Sequence, residues 1–183
     1  MLSRIFAILL FLFLSPLFLI LGLIIISSDG FPIVYKQKRI GKDNIYFYLY
    51  KFRTMKKNTP ELATHLMNDP DKYLINFGKF MRRNSLDEIP QIFNIIKGEM
   101  SFVGPRPALH NQDDLKALRT KNNIHLITPG LTGWAQINGR DELSINDKVA
   151  FDKFYIEKKS MVFDIEILIK TFFKVINKRG VSH

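Results

Sequence analysis

Two adjacent acids, Asp87 and Glu88, follow Arg82-Arg83-Asn84-Ser85-Leu86 and precede Ile89-Pro90-Gln91. Neighbouring carboxylates can divide two tasks, one attacking an electrophile while the other holds a hard cation such as Mg²⁺. Arg82 and Arg83, five and four residues upstream of Asp87, are placed to bind an anion that Asp87 attacks. Ser85-x-x-Glu88 also matches a capping box, but Pro90 favours a helix that starts at or near Asp87, where the missing proline N–H costs little. A carboxylate at such a start stays ionised, as a nucleophile or a metal ligand must. Asp87 and Glu88 could equally be acids that do no more than suit the helix dipole.

Three further segments carry anion chemistry. Gly104-Pro105-Arg106-Pro107 holds an arginine on a stiff backbone, suited to bidentate phosphate binding. Pro129 to Arg140 contains Gly130, Thr132, Gly133, Trp134, Gln136, Gly139 and Arg140, with glycines that let backbone amides approach an anion closely. Trp134 either stacks on a base or anchors the loop in the core. Lys51 and Arg53, within Tyr50-Lys51-Phe52-Arg53-Thr54-Met55, add two more cations.

These segments need a scaffold, and composition bounds it. The chain has 183 residues, 27 Lys+Arg against 17 Asp+Glu, a net charge of +10 and no cysteine. That length suits one domain plus an appendage. Disulfides, Cys-ligated metals and thiol nucleophiles are excluded, and the four scattered histidines lack the spacing of a histidine-built metal site. The basic balance points to an anionic partner: lipid headgroups, nucleic acid or a phosphorylated substrate.

Ile5–Ile26 is a run of 22 residues without a charge. As a straight helix it measures roughly 33 Å, enough for the hydrocarbon core. It is too long, and lacks the cleavage site, for a signal peptide, so it is expected to be retained. Pro16 deprives the Leu12 carbonyl of its helical partner, and the Ser15 hydroxyl can reach back to Leu12 or Phe11. A bend there is tolerable, which leaves two dispositions open, a kinked spanning helix or a re-entrant one.

Phe31–Arg39 and Ile45–Phe52 read as a two-stranded hairpin around Gly41–Asn44. Helices are expected at Glu61–Met67 (a short patch), Ile75–Arg83, Asp87–Lys97, near Asp113–Thr120, and at Ser144–Glu157 and Met161–Lys178. Met100–Pro107 and Thr128–Arg140 read as Gly/Pro-rich loops. In the last helix Ile165, Leu168, Ile169, Phe172, Phe173 and Ile176 form one stripe, which suits a core-facing helix or one lying on lipid.

In this order, Tyr50–Met55, Ser85–Gln91, Met100–Pro107 and Pro129–Arg140 resemble the bacterial sugar transferase family, the monotopic polyprenol-phosphate phosphoglycosyl transferases. The similarity covers essentially the whole chain, which resembles a minimal member. It implies transfer of a sugar-1-phosphate from a UDP-sugar to undecaprenyl phosphate, with release of UMP, at the start of a surface-glycan or glycoprotein-glycan pathway. The implied mechanism is ping-pong and Mg²⁺-assisted, with Asp87 as the nucleophile that becomes a covalent phospho-sugar and Glu88 as metal ligand or positioner. Arg106 and Arg140 resemble the family's anion-binding arginines. Lys51, Arg53, Arg82, Pro105, Pro107, Thr132 and Gln136 complete the expected substrate-binding set. The resemblance further implies that the Ser15-Pro16 helix is re-entrant. The expected architecture is therefore α+β: residues 1–28 a re-entrant membrane helix, and residues 29–183 a mainly helical domain with a small hairpin and amphipathic interfacial helices. That domain is expected on the cytoplasmic face of the bacterial inner membrane, with membrane lipids and the two substrates as partners and no nucleic acid. A competing reading from another class is a non-catalytic, membrane-tethered basic binding module.

Overall fold

The computed structural model describes residues 2–59, 69–139 and 142–176. The helical patch expected at Glu61–Met67 and the expected site residue Arg140 lie outside them. Helix α1 runs without interruption from Leu2 to Asp29, with Pro16 inside it. The Leu12 carbonyl, orphaned by the proline, accepts a hydrogen bond from Ser15 Oγ at 2.8 Å.

One face of α1 is docked along its whole length. Ala7, Phe11, Leu14, Phe18, Leu21 and Ile25 alternate spacings of four and three, and this stripe meets the rest of the chain. The opposite face, including Ile5, Leu9, Leu12, Phe13, Leu19 and Leu23, stays exposed. Near its N-terminus, Arg4 lies so close to Gly98 that a Cβ there would fall 2.0 Å from Arg4 Nη2. At the other end, Asp29 Oδ2 accepts from the Lys57 amide at 3.0 Å and pairs with Arg53 Nη2 at 3.2 Å. Both ends of the helix therefore rest on the same folded unit.

The expected hairpin forms from β1 (Val34–Ile40) and β2 (Tyr46–Phe52), with Val34 opposite Phe52 and Ile40 opposite Tyr46. Phe47, Leu49 and Phe52 of β2 face inward. They join Ile92 and Ile95 of helix α3 (Ile92–Lys97) and Met81 of helix α2 (Gly78–Arg83) beneath α1. A phenylalanine cluster ties the layers: the ring of Phe18 lies 5.2 Å from Phe52 and 5.7 Å from Phe93.

The segments expected to be loops contain short ladders. Strand β3 (Ser101–Val103) pairs in parallel with β5 (Gly130–Thr132), and β4 (Ala108–Leu109) adds to β1 as a third antiparallel strand. Helix α5 (Trp134–Ile137) follows β5. These pieces are two to four residues long and punctuated by Gly and Pro, so no run is long enough to show a period in the sequence. The glycines serve backbone-to-backbone approach. A Cβ at Gly130 would sit 2.1 Å from Gly104 N, and one at Gly133 2.1 Å from Gly104 O.

Helix α4 (Asp113–Lys121) and α6 (Ile145–Lys158) pack around Ile40, Ala108, Ile124 and Val149. Ser144 caps α6, accepting from the Asp147 amide at 3.1 Å. Helix α7 (Met161–Ile176) buries Ile167 completely, beside Val103, Ile137 and Tyr155. The stripe read from the sequence points the other way: Ile165, Leu168, Ile169, Phe172 and Phe173 are 40–63% exposed. Of the two readings, the core-facing stripe is therefore excluded.

Candidate active site

The segment that bears the paired acids is tighter than expected. Leu86–Gln91 is a 3-10 helix, continuing into α3, and the residue before it, Ser85, is left-handed (φ 54°). Asp87 is thus one residue inside the helix rather than at its cap, and Ser85 makes no side-chain capping bond. Pro90 fits because the segment is short and irregular at that point.

This geometry tucks Asp87 inward, 4% exposed, with Glu88 beside it. Lys51, reaching from β2, donates to Glu88 Oε1 at 2.8 Å and lies 3.7 Å from Asp87 Oδ2. Asp87 Oδ1 is buried without a hydrogen-bond partner. A buried, unpaired carboxylate oxygen is costly, so its place needs a functional reason. Burial pushes the Asp87 carboxyl above the usual carboxylate value, and Glu88 adds to this, while Lys51 and Arg82 pull it back. The low, dipole-stabilised carboxylate expected from a helix start is therefore replaced by one raised through desolvation. Arg82 donates from Nε to Thr54 Oγ1 at 2.9 Å, which orients it in the field of Asp87.

Glu88 also lines a cavity of about 300 Å³ between α1 and α7. Arg106, Thr132 and Gln136 line it too, so the structure brings these three together with Glu88. Thr132 Oγ1 lies 2.7 Å from Thr171 Oγ1, which joins β5 to α7. Both amide heavy atoms of Gln136 are buried without a hydrogen-bond partner. Pro105 and Pro107 flank Arg106 through their carbonyls, which accept from the Gly130 amide at 2.9 Å and from Arg39 Nη1 at 3.0 Å.

Arg53 is engaged elsewhere. Its Nη2 donates to the carbonyls of Asp29 and Gly30 at 3.1 and 2.6 Å, where a cation complements the C-terminal end of α1. Trp134 belongs to the core, stacked on Phe154 at 5.5 Å with Lys170 Nζ over its ring, which decides between its two readings.

Other positioning residues carried no motif. Asn94, fully buried, accepts from the Tyr50 amide at 3.1 Å and donates to the Tyr48 carbonyl and Glu99 at 2.7 Å, locking α3 to the strand that bears Lys51. Arg119 pairs with buried Asp152 at 2.6 Å, and its Nη1 donates to the Arg106 carbonyl at 2.7 Å. A buried Asn inside an apolar stripe was the available signal for the first; the Arg119–Asp152 pair spans 33 residues and left none.

Fold and site together define an α+β unit with an apolar helix long enough to cross a membrane and, against it, a cavity lined by Glu88 and Arg106 beside the buried Asp87. The family model described as bacterial sugar transferase matches residues 1–178, and the chain belongs to that family. It is 36% identical over 97% of its length to a UDP-glucose:undecaprenyl-phosphate glucose-1-phosphate transferase of Xanthomonas campestris pv. campestris, of which the match covers 38%. It is also 36% identical, over 85% of its length, to 36% of an undecaprenyl-phosphate galactose phosphotransferase of Salmonella typhimurium. The chain thus spans little more than a third of these relatives. With the exopolysaccharide production protein ExoY of Sinorhizobium fredii it shares 38% identity over 95% of this chain and 83% of that protein.

Proposed function

We propose that the chain transfers a sugar-1-phosphate from a UDP-sugar to undecaprenyl phosphate, releasing UMP and initiating a surface-glycan or glycoprotein-glycan pathway. The observation that carries this reading is Asp87: a buried carboxylate with one unpartnered oxygen, flanked by Lys51, Arg82 and Glu88. Asp87 attacks the sugar-bearing phosphorus; a new P–O bond forms, the anhydride P–O bond breaks, and UMP leaves with the bonding electrons. A phosphate oxygen of the lipid acceptor then attacks the same phosphorus. The Asp87–phosphorus bond breaks, the carboxylate returns, and the lipid carries the diphospho-sugar. Desolvation makes the carboxylate more basic and so a better nucleophile, while Lys51 keeps it ionisable. Arg106, with Arg140, Thr132 and Gln136, binds substrate phosphate and sugar oxygens; Lys51 and Arg82 balance the dianionic pair. Pro105 and Pro107 hold Arg106 rigid.

The acidic pair fits Mg²⁺, a cation that takes one or two protein carboxylates and completes its shell with substrate phosphate and water. Asp87 and Glu88 would hold it, and it would supply charge neutralisation on the diphosphate.

The contacts at both ends of α1 support a monotopic seat. A spanning helix puts its ends on opposite sides of a core about 30 Å thick. Here Arg4 and Asp29 both touch the unit that carries Lys51 and Asp87. These contacts favour residues 1–28 re-entering on one side, with the outward faces of α1 and α7 against lipid of the cytoplasmic face of the inner membrane. Arg53, pinned to Asp29, fixes the end of this element rather than contacting substrate.

The test is UMP release across a UDP-sugar panel with undecaprenyl phosphate. Asp87→Asn is expected to abolish release while membrane association survives, and enzyme trapped with donor alone should carry the phospho-sugar mass on Asp87. Undiminished release from the variant removes the covalent mechanism. In this cysteine-free chain, Leu2→Cys and Lys38→Cys should be labelled from the same side; labelling from opposite sides restores a spanning helix.

A further inference from the structure

Away from Arg106, Thr132 and Gln136, the cavity beside Glu88 has walls that a nucleotide-sugar does not need. Leu10 and Leu14 of α1, Ile92 and Ile95 of α3, and Leu168 and Val175 of α7 form most of its surface. Such walls would strip water from a nucleoside diphosphate without replacing its hydrogen bonds. Yet the same space holds two cations of opposite provenance, Arg106 from the Gly-Pro-Arg-Pro turn and Lys174 from α7, together with the unpartnered amide of Gln136. It is therefore an apolar slot that collects groups for a single anion, continuous with the dicarboxylate cleft through Glu88.

Its position adds a second constraint. It is walled by the two helices whose other faces are the most apolar exposed surfaces of the described chain, with Leu12 and Phe13 on α1 and Phe172 and Phe173 on α7. A ligand reaching it between these helices arrives from lipid. Its volume, about 300 Å³, lies at the low end of small-molecule pockets, about 300–1,000 Å³. That is room for the beginning of a long chain and not for all of it.

We propose that this slot receives the acceptor itself: the phosphate-proximal isoprene units of a polyprenyl phosphate leave the bilayer and lie between α1 and α7, with Lys174 and Arg106 holding the phosphate. This rests on the transferase reading above and assigns its acceptor subsite. Thr171, bonded to Thr132, fixes the α7 wall against β5, so that Lys174, one turn away, keeps its station. The acceptor is thus recognised by the first part of its tail as well as by its headgroup, and phosphatidyl lipids, with two acyl chains at the phosphate end, are turned away.

The experiment uses the full chain in lipid nanodiscs and an undecaprenyl phosphate carrying a diazirine on its first isoprene unit. Photolysis is expected to tag Leu10, Leu14 or Val175, and tagging should be suppressed by plain undecaprenyl phosphate but not by phosphatidylglycerol. Tags confined to outward residues such as Leu12, Phe13 or Phe172, or equal suppression by phosphatidylglycerol, overturn the assignment. In parallel, Leu14→Trp fills the slot. It should leave the donor-only step, UMP formed per enzyme before acceptor is added, at wild-type level while raising the KM for undecaprenyl phosphate at least about tenfold. An unchanged KM in a variant that still binds membrane also overturns it. Failure of the wild type to release UMP or form an adduct with donor alone would instead count against the covalent reading, and the photolabelling result would stand on its own.

Discussion

Arg119 is the point where stability and chemistry can be separated. Its Nε and Nη2 hold Asp152 Oδ2 at 3.0 and 2.6 Å, in a site where both side chains are nearly inaccessible, and its Nη1 holds the Arg106 carbonyl at 2.7 Å. Arg119→Met leaves Asp152 buried without its cation, a change that costs about 3–5 kcal/mol. In a chain of this size each kcal/mol moves Tm by roughly 2–4 °C, so the melt should fall by about 6–20 °C. Adding Asp152→Leu replaces the pair with apolar volume, which commonly restores stability. The double variant should therefore melt within about 4 °C of wild type, roughly 1 kcal/mol. Neither variant restores the bond from residue 119 to the Arg106 carbonyl, so kcat/KM for the UDP-sugar should remain at least tenfold down in the double variant, about 1.4 kcal/mol of transition-state binding. Thermal melts by circular dichroism and UMP release measured on the same nanodisc preparations decide it. A double variant that regains both stability and turnover would show that Arg106 needs no anchor from Arg119.

Three further outcomes are expected. Lys51→Met removes the main group that holds the Asp87 carboxyl down, so the acid limb of the pH–rate profile should move to higher pH; an unmoved limb would place the titration elsewhere. Asp87→Asn, though inactive, should be at least as stable as wild type at neutral pH. Burial raises this carboxyl above its ordinary 3.8 in the folded chain, so the stability it contributes is full below that value and falls as pH rises through the folded one. The gap between variant and wild type in urea melts should accordingly close on acidification; a gap that widens refutes the sign. Gly130→Ala drives a Cβ to 2.1 Å from Gly104 N and should destabilise by at least about 1–3 kcal/mol, with loss of activity, read by thermal melt and UMP release.

Patterns with contrast were readable from the chain. The hairpin, α6 and α7 all alternate apolar and polar residues or begin with a capping serine, and their bounds lie within a few residues of expectation. Contrast fails in α1: every position of Ile5–Ile26 except Ser15, Pro16 and Gly22 is strongly apolar or alanine, so the inward stripe from Ala7 to Ile25 cannot be told from the outward face. The same limit applied to α7, where periodicity revealed a stripe but not which side of the helix faced protein; Ile167 and Phe163, off the stripe, make the core contact. The acidic pair was legible because its neighbours were unusual. Its environment was not, since Lys51 reaches it from 37 residues away and desolvation has no sequence signature. The spacing of Arg53 near Lys51 suggested shared duty, but β2 ends at Phe52, and Arg53, just beyond it, turns to the C-terminal end of α1 while Lys51 meets the acidic pair.

The stripe on α1 also governs how this protein can come into being. Phe47, Leu49, Ile92 and Ile95 share their cluster with Ala7, Leu10, Phe11 and Phe18 of that helix, so a chain freed of its first thirty residues would present a wet, sticky flank in place of a finished core. Completion of that core therefore requires the first helix to dock, which makes the greasy segment a structural part of the folded unit and not a detachable tether.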